Sequence, residues 1–168
     1  REKLQERLAK LAGGVALITD AEVARANGVK GFTVFAGGKL VISNITENCD
    51  LQVPISGDGD IYVIDSLGVA FSADNSKRLG NFIVQNSEVT CAHQQGFGST
   101  ASPALSFTQG VQGKLQFSGA GLTCDSPITV ESDSHELSIR AADNARITLN
   151  GAFRLMKEGS KTVFGNVT

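Results

Sequence analysis

Residues 39–56 read KLVISNITENCDLQVPIS, and residues 114–129 read KLQFSGAGLTCDSPIT. Each stretch runs from Lys-Leu through apolar positions and a polar or small-residue turn to Cys-Asp, then on to Pro-Ile and a hydroxyl residue. Cys49 and Cys124 stand ten positions after Lys39 and Lys114. Residues 84–94, VQNSEVTCAHQ, end a similar apolar run and turn on Cys91. An apolar pair precedes each of the three cysteines by seven to nine positions: Val41 and Ile42, Ile83 and Val84, Leu115 and Phe117.

A unit that recurs in this way without being able to bury its own inner face is the sequence mark of a stacked solenoid. The cysteine intervals, 91 − 49 = 42 and 124 − 91 = 33, are unequal, so outer loops of varying length are expected around constant strands. On this alignment Cys49, Cys91 and Cys124 are equivalent inward positions, acting as small buried apolar residues. Their odd number leaves at least one outside any internal disulfide. The Asn, Ser and Thr near them are expected to hydrogen-bond within and between turns.

From Lys30 onward, apolar residues alternate or form short runs, and the turns are rich in Gly, Asn, Asp and Ser, which is the pattern of short strands. Candidate strands are FTVFA, KLVIS, DLQVPI, DIYVID, GVAFS, NFIVQ, ALSFTQ, KLQFS, ITVES, ELSIRA, RITLN and TVFGNV. No long helical period separates them. The expected fold is mainly β, a right-handed parallel β-solenoid. An antiparallel β-sandwich or jelly roll is the alternative, because FTVFAGGKLVIS, with Gly37-Gly38 between alternating stretches, and SFTQGVQGKLQFS both read as hairpins.

The N-terminus is different. Leu4, Leu8 and Leu11 fall at helical spacing in residues 1–12, with Glu2, Lys3, Glu6, Arg7 and Lys10 over the remaining surface. Gly13-Gly14 ends that helix, VALI follows as a strand, and a second short helix is expected over Asp20–Asn27. Residues 1–29 are thus an N-terminal helical cap or an appended leader, and residues 30–168 a β-repeat domain. A cap would cover the core and strand edges that a terminal turn exposes.

Residues 1–16, REKLQERLAKLAGGVA, resemble a segment of the group I chaperonins in which such a helix leads into a Gly-Gly turn and a strand. The resemblance covers about a tenth of the chain. It implies a borrowed helix, as in a leader or fusion, or local convergence on a good amphipathic sequence. SGDGDIY shares only Gly57-Asp58-Gly59 with that family's phosphate loop, so no functional residue carries over. The remainder loosely resembles β-helix passenger and adhesin domains in its texture.

The chain has 168 residues, a net charge of −2 and 19% charged residues, without the basic excess that draws a protein to nucleic acid. No apolar run reaches the roughly 18 residues of a membrane span. A chain that starts with Arg and ends with Thr reads as a fragment of a longer protein.

Catalytic signals are sparse. Asp58, Asp60 and Asp65, or Asp125, Glu131 and Asp133, could pair on a solenoid flank as glycan-cleaving carboxylates do, and Asp58, Asp60 and Asp133 are the catalytic candidates. GDGD is one place out of register for a calcium-binding β-roll and reads as a solvated turn. Cys91 and His93 share a strand face, but with His135 they supply too few ligands for zinc, so no metal or cofactor is expected. Gly38-Lys39 and Gly113-Lys114 lack the rest of a phosphate loop, and no Gly-x-Ser-x-Gly elbow is present.

The function expected from these features is a non-catalytic extracellular or cell-surface β-domain acting in adhesion or in glycan or host-protein binding. A polysaccharide-cleaving enzyme and a structural protein that assembles into homo-oligomers through its solenoid ends are the alternatives.

Overall fold

In the computed structural model, which describes residues 14–19, 30–109, 112–118, 121–130, 136–141, 146–155 and 161–165, alternation is the rule that builds the core. Along β3 (Lys39–Ser43), Leu40 and Ile42 are buried while Lys39, Val41 and Ser43 are not, because successive side chains of a strand face opposite ways. The same holds in β6 (Asp60–Ile64) for Ile61 and Val63, and in β8 (Phe82–Gln85) for Phe82 and Val84.

These strands join β1 (Val15–Ile18), β10 (Leu105–Gln109), β13 (Ile128–Val130) and β16 (Phe153–Leu155) in a seven-stranded front sheet of order β1-β3-β6-β8-β10-β13-β16. A six-stranded back sheet contains β4 (Cys49–Leu51), β7 (Val69–Phe71), β9 (Glu88–Cys91), β11 (Gln112–Phe117), β14 (Glu136–Ala141) and β17 (Lys161–Gly165). A third side carries two short pairs, β2 (Phe32–Thr33) with β5 (Ile55–Ser56), and β12 (Leu122–Cys124) with β15 (Ile147–Leu149).

Every ladder among the described residues is parallel. The chain runs from front to back to third side and returns to the front one strand further on, forming a β-solenoid of about five turns. Leu40, Ile61, Phe82, Leu105 and Ile128 stack in register down the front core, at intervals of 21, 21, 23 and 23 residues. Cys49, Val69, Val89, Leu115 and Ile139 stack down the back core.

This register corrects three expectations. The antiparallel sandwich gives way to parallel stacking: β2 and β3, and likewise β10 and β11, pair with neighbouring turns and not with each other. Gly37, at φ +76°, does make a tight turn, and the Gly38 N–H donates to the Phe35 carbonyl at 2.8 Å, but that turn is a solenoid corner. The cysteines are free and buried, yet they are not equivalent. Cys49 stacks on Val69, Cys91 stacks on Phe71 in the next inward column, and Cys124 belongs to the third side opposite Leu149. Lys39-Leu40 lies on the front sheet and Lys114-Leu115 on the back, so their similarity reflects a shared demand for alternation.

Between front and back, Asn44, Asp65 and Asn86 repeat every 21 residues, with φ of 57°, 47° and 45°. Asn and Asp tolerate this left-handed conformation better than other non-glycine residues, and it turns the chain through the corner. The next residues, Ile45, Ser66 and Ser87, point inward. Ser66 Oγ accepts from the Ile45 N–H at 3.2 Å and donates to the Ile64 carbonyl at 2.9 Å; Ser87 Oγ accepts from the Ser66 N–H at 3.0 Å and donates to Gln85. Of the expected Asn, Ser and Thr bonding, this ladder supplies the Ser bonds between turns.

The third side is held by polar groups. Asn75, 1% exposed, accepts from the Ile55 N–H at 2.7 Å and donates to the Gly96 carbonyl at 2.6 Å, tying three turns together. Arg78 is 0% exposed and lies over the Phe82 ring, 5.4 Å from its centroid. Its guanidinium donates to the carbonyls of Phe97, Gly80 and Pro103. Burial lowers its pKa to about 10, so at neutral pH it is a buried cation neutralised by carbonyl dipoles. Phe71, Phe82 and Phe97 pack edge to face beneath it.

Residues 1–12 and Asp20–Asn27, where the two helices are expected, lie outside the described residues. Val15–Ile18 is the first strand of the front sheet, paired with Lys39–Ile42.

Candidate functional site: a polar groove on the back sheet

The outward residues of the back sheet form columns as regular as those of the core. Asp50, Ala70, Thr90, Gln116 and Arg140 are one column. Beside it, Glu88 faces Lys114, which faces Ser138. The surface sinks at β7 because Gly68 and Ala70 are small, leaving a groove of about 360 Å³ whose walls include Asp50, Glu88, Thr90, Lys114 and Gln116.

Gly68 is required for that depression. Its φ of +68° is strained for any L side chain, and a Cβ would lie 2.6 Å from the Asn48 Oδ1 atom. Its carbonyl accepts the Cys49 N–H at 3.1 Å, which fixes the floor to the neighbouring turn.

On the walls, Lys114 Nζ donates to Glu88 at 2.8 Å, and both side chains are part-exposed. An ion pair so open to water contributes about 0–1 kcal/mol to stability, leaving both groups able to exchange partners. Asp50 accepts from Ser72 Oγ at 2.6 Å and from Gln52 Nε2 at 2.9 Å. The groove therefore sets Asp50 on one side of the small floor residues Gly68 and Ala70, and Glu88, Thr90, Lys114 and Gln116 on the other.

The acidic residues singled out from sequence lie elsewhere. Asp58 is exposed in the turn between β5 and β6. Asp60 opens β6 and accepts from the backbone and side chain of Asn81, at 3.1 and 2.9 Å. Asp65 follows the same strand and accepts from Asn86 Nδ2 at 2.8 Å. A five-residue separation along extended chain puts Asp60 and Asp65 about 16 Å apart, beyond the roughly 5–9.5 Å of glycosidase carboxylate pairs. Asp125, near the third side, receives Gln95 at 2.6 Å, Asn150 at 3.1 Å and Gln94 at 3.4 Å. Asp60, Asp65 and Asp125 thus fasten one turn to the next. Glu131 and Asp133 lie outside the described residues.

Cys91 donates to the His93 carbonyl at 3.2 Å, and His93 Nδ1 accepts from the Gln95 N–H at 3.0 Å. The hydrogen bond to Cys124, then burial, holds the Cys91 thiol above the usual thiol range and keeps it protonated. Among the described residues no three His, Cys, Asp or Glu side chains are grouped to hold a metal ion, and no helix is long and apolar enough to cross a membrane. His135 lies outside those residues.

Sequence reasoning singled out the turn carboxylates and missed Glu88, Thr90, Lys114 and Gln116. These residues are 26 apart as register partners, and only the lateral stacking of β9 on β11 makes them neighbours.

Comparison with family models, curated proteins and solved structures finds no significant match to the chain.

Proposed function

We propose that this chain is a non-catalytic binding domain, a right-handed β-solenoid of an extracellular or cell-surface protein that presents the back-sheet groove to a glycan or to a host protein. The observation that carries this reading is the groove itself. Its donors and acceptors project from rigid, laterally stacked strands, a placement that preorganises them for a ligand. Among the described turn carboxylates, Asp60, Asp65 and Asp125 are bonded to the amides of neighbouring turns, and Asp58 stands exposed in its turn.

Titration of the full chain against neutral and acidic glycans and host surface proteins tests the proposal, beside an assay for polysaccharide cleavage. Lys114→Ala is expected to weaken binding by about tenfold, the loss of roughly 1.4 kcal/mol expected of one charge-assisted contact. Turnover abolished by Asp58→Asn would replace the binding reading with the enzymatic one.

A further inference from the structure

Two of the three cysteines meet inside the solenoid. Cys91 ends β9 on the back sheet and is 0% exposed; Cys124 ends β12 on the third side of the following turn and is 1% exposed. The Cys91 thiol hydrogen-bonds to Cys124. The backbone around this contact is fastened on both sides. The Cys91 carbonyl accepts from the Ser118 N–H at 2.9 Å, and Asp125, next to Cys124, accepts from Gln95 at 2.6 Å and from Gln94 at 3.4 Å.

Packing alone does not call for a cysteine at position 91. Its inward column runs Leu51, Phe71, Cys91 and Phe117, so Cys91 is a small side chain between two phenylalanines. The space that a larger residue would fill is where Cys124 meets it from the third side. Cys49 is out of reach of both. Its strand β4 lies two strand spacings from β9, about 10 Å, beyond the roughly 4.4–6.8 Å between Cα atoms that a disulfide spans.

We propose that Cys91 and Cys124 form a disulfide when the chain folds in an oxidising medium, a staple joining the back sheet of one turn to the third side of the next. The oxidant is a small-molecule disulfide. One protein thiol gives up its proton and displaces a thiolate from the oxidant, forming a mixed disulfide; the other then deprotonates and attacks that protein sulfur, releasing the second thiolate. Two protein thiols are oxidised, the external disulfide is reduced to two thiols, and those thiols carry the two protons. Both sulfurs are buried once the turns pack, so the exchange belongs to folding or to a local opening. The bridge spans 124 − 91 = 33 positions, enclosing β10 and β11, and a loop of that length constrains the unfolded chain strongly. It is independent of the groove, which lies on the outward face of the back sheet.

The full chain, refolded from denaturant in a buffer of oxidised and reduced glutathione, then alkylated under denaturing conditions and digested, tests the pairing. A single alkylated cysteine, Cys49, and a linked peptide joining Cys91 to Cys124 are expected. Three alkylated cysteines, or a bond that uses Cys49, would overturn the proposal. Thermal unfolding gives a second readout: the oxidised chain should melt about 10 °C above the same chain kept in reductant. The Cys91→Ala, Cys124→Ala chain should melt at one temperature in both buffers. An oxidised chain that melts no higher than the reduced one, or an equal shift in the double variant, would show that the pair is not a staple.

Discussion

On the front sheet, the column beside the buried Leu40, Ile61 and Phe82 is Val41, Tyr62 and Ile83; on the back sheet, the column beside Cys49, Val69 and Val89 is Asp50, Ala70, Thr90 and Gln116. The inner columns obey one requirement, an apolar side chain that fills its space, and either sheet satisfies it. The outer columns carry no such burden. Their difference, an apolar stripe on one side and a polar depression on the other, is what distinguishes the two faces of the solenoid.

Both faces depend on the shared interior, so the largest expected effect breaks the comparison altogether. Arg78→Ala leaves the carbonyls of Phe97, Gly80 and Pro103 without their donor and opens a void over Phe82. A loss of about 3–5 kcal/mol in chemical denaturation is expected, enough to unfold a marginal domain. A loss below about 1 kcal/mol would mean that Arg78 is not buried on those carbonyls.

Next in size is a pair of adjacent substitutions that separates inside from outside. Val89→Ala removes packing from the back core and should cost about 2 kcal/mol, whereas Thr90→Ala, one residue on, should cost less than about 0.5 kcal/mol. Equal costs would contradict the alternation of β9.

The corner ladder gives a smaller effect. Ser66→Ala leaves the Ile45 N–H without its acceptor and should cost about 1–2 kcal/mol by thermal or chemical unfolding. Smallest is Glu88→Gln. Losing an exposed ion pair changes stability by under about 1 kcal/mol, and added salt should erase the difference.

Alternation made most strands legible. KLVIS, DIYVID and NFIVQ correspond to β3, β6 and β8 because each has a half-buried face. Glu88–Cys91 and Leu122–Cys124 are absent from the strands expected from sequence, since strands of four and three residues barely establish a period. Pairing direction was less accessible. A glycine turn looks the same in sequence whether the chain returns beside itself or rounds a solenoid corner, and Gly37-Gly38 rounds a corner.

The cysteine alignment failed for a related reason. It matched β3 to β11, two strands with the same inner demand on different sheets, whereas the true repeat is the single turn of about 20–26 residues seen between Cys49 and Val69 or Val89 and Leu115. Arg78 gave no signal, since two of its three carbonyl partners, Phe97 and Pro103, lie 19 and 25 residues further along the chain. The groove was hidden because register partners become neighbours only after stacking.

Thiol labelling of two adjacent positions on β9 tests the stacked solenoid most directly, since Cys49, Cys91 and Cys124 are buried and contribute little background. Introduced singly into the full chain, Thr90→Cys, outward on the back sheet, should react rapidly, and Val89→Cys, in the back core, slowly. Equal rates at the two positions would contradict the alternation by which one column fills the core and the next faces solvent.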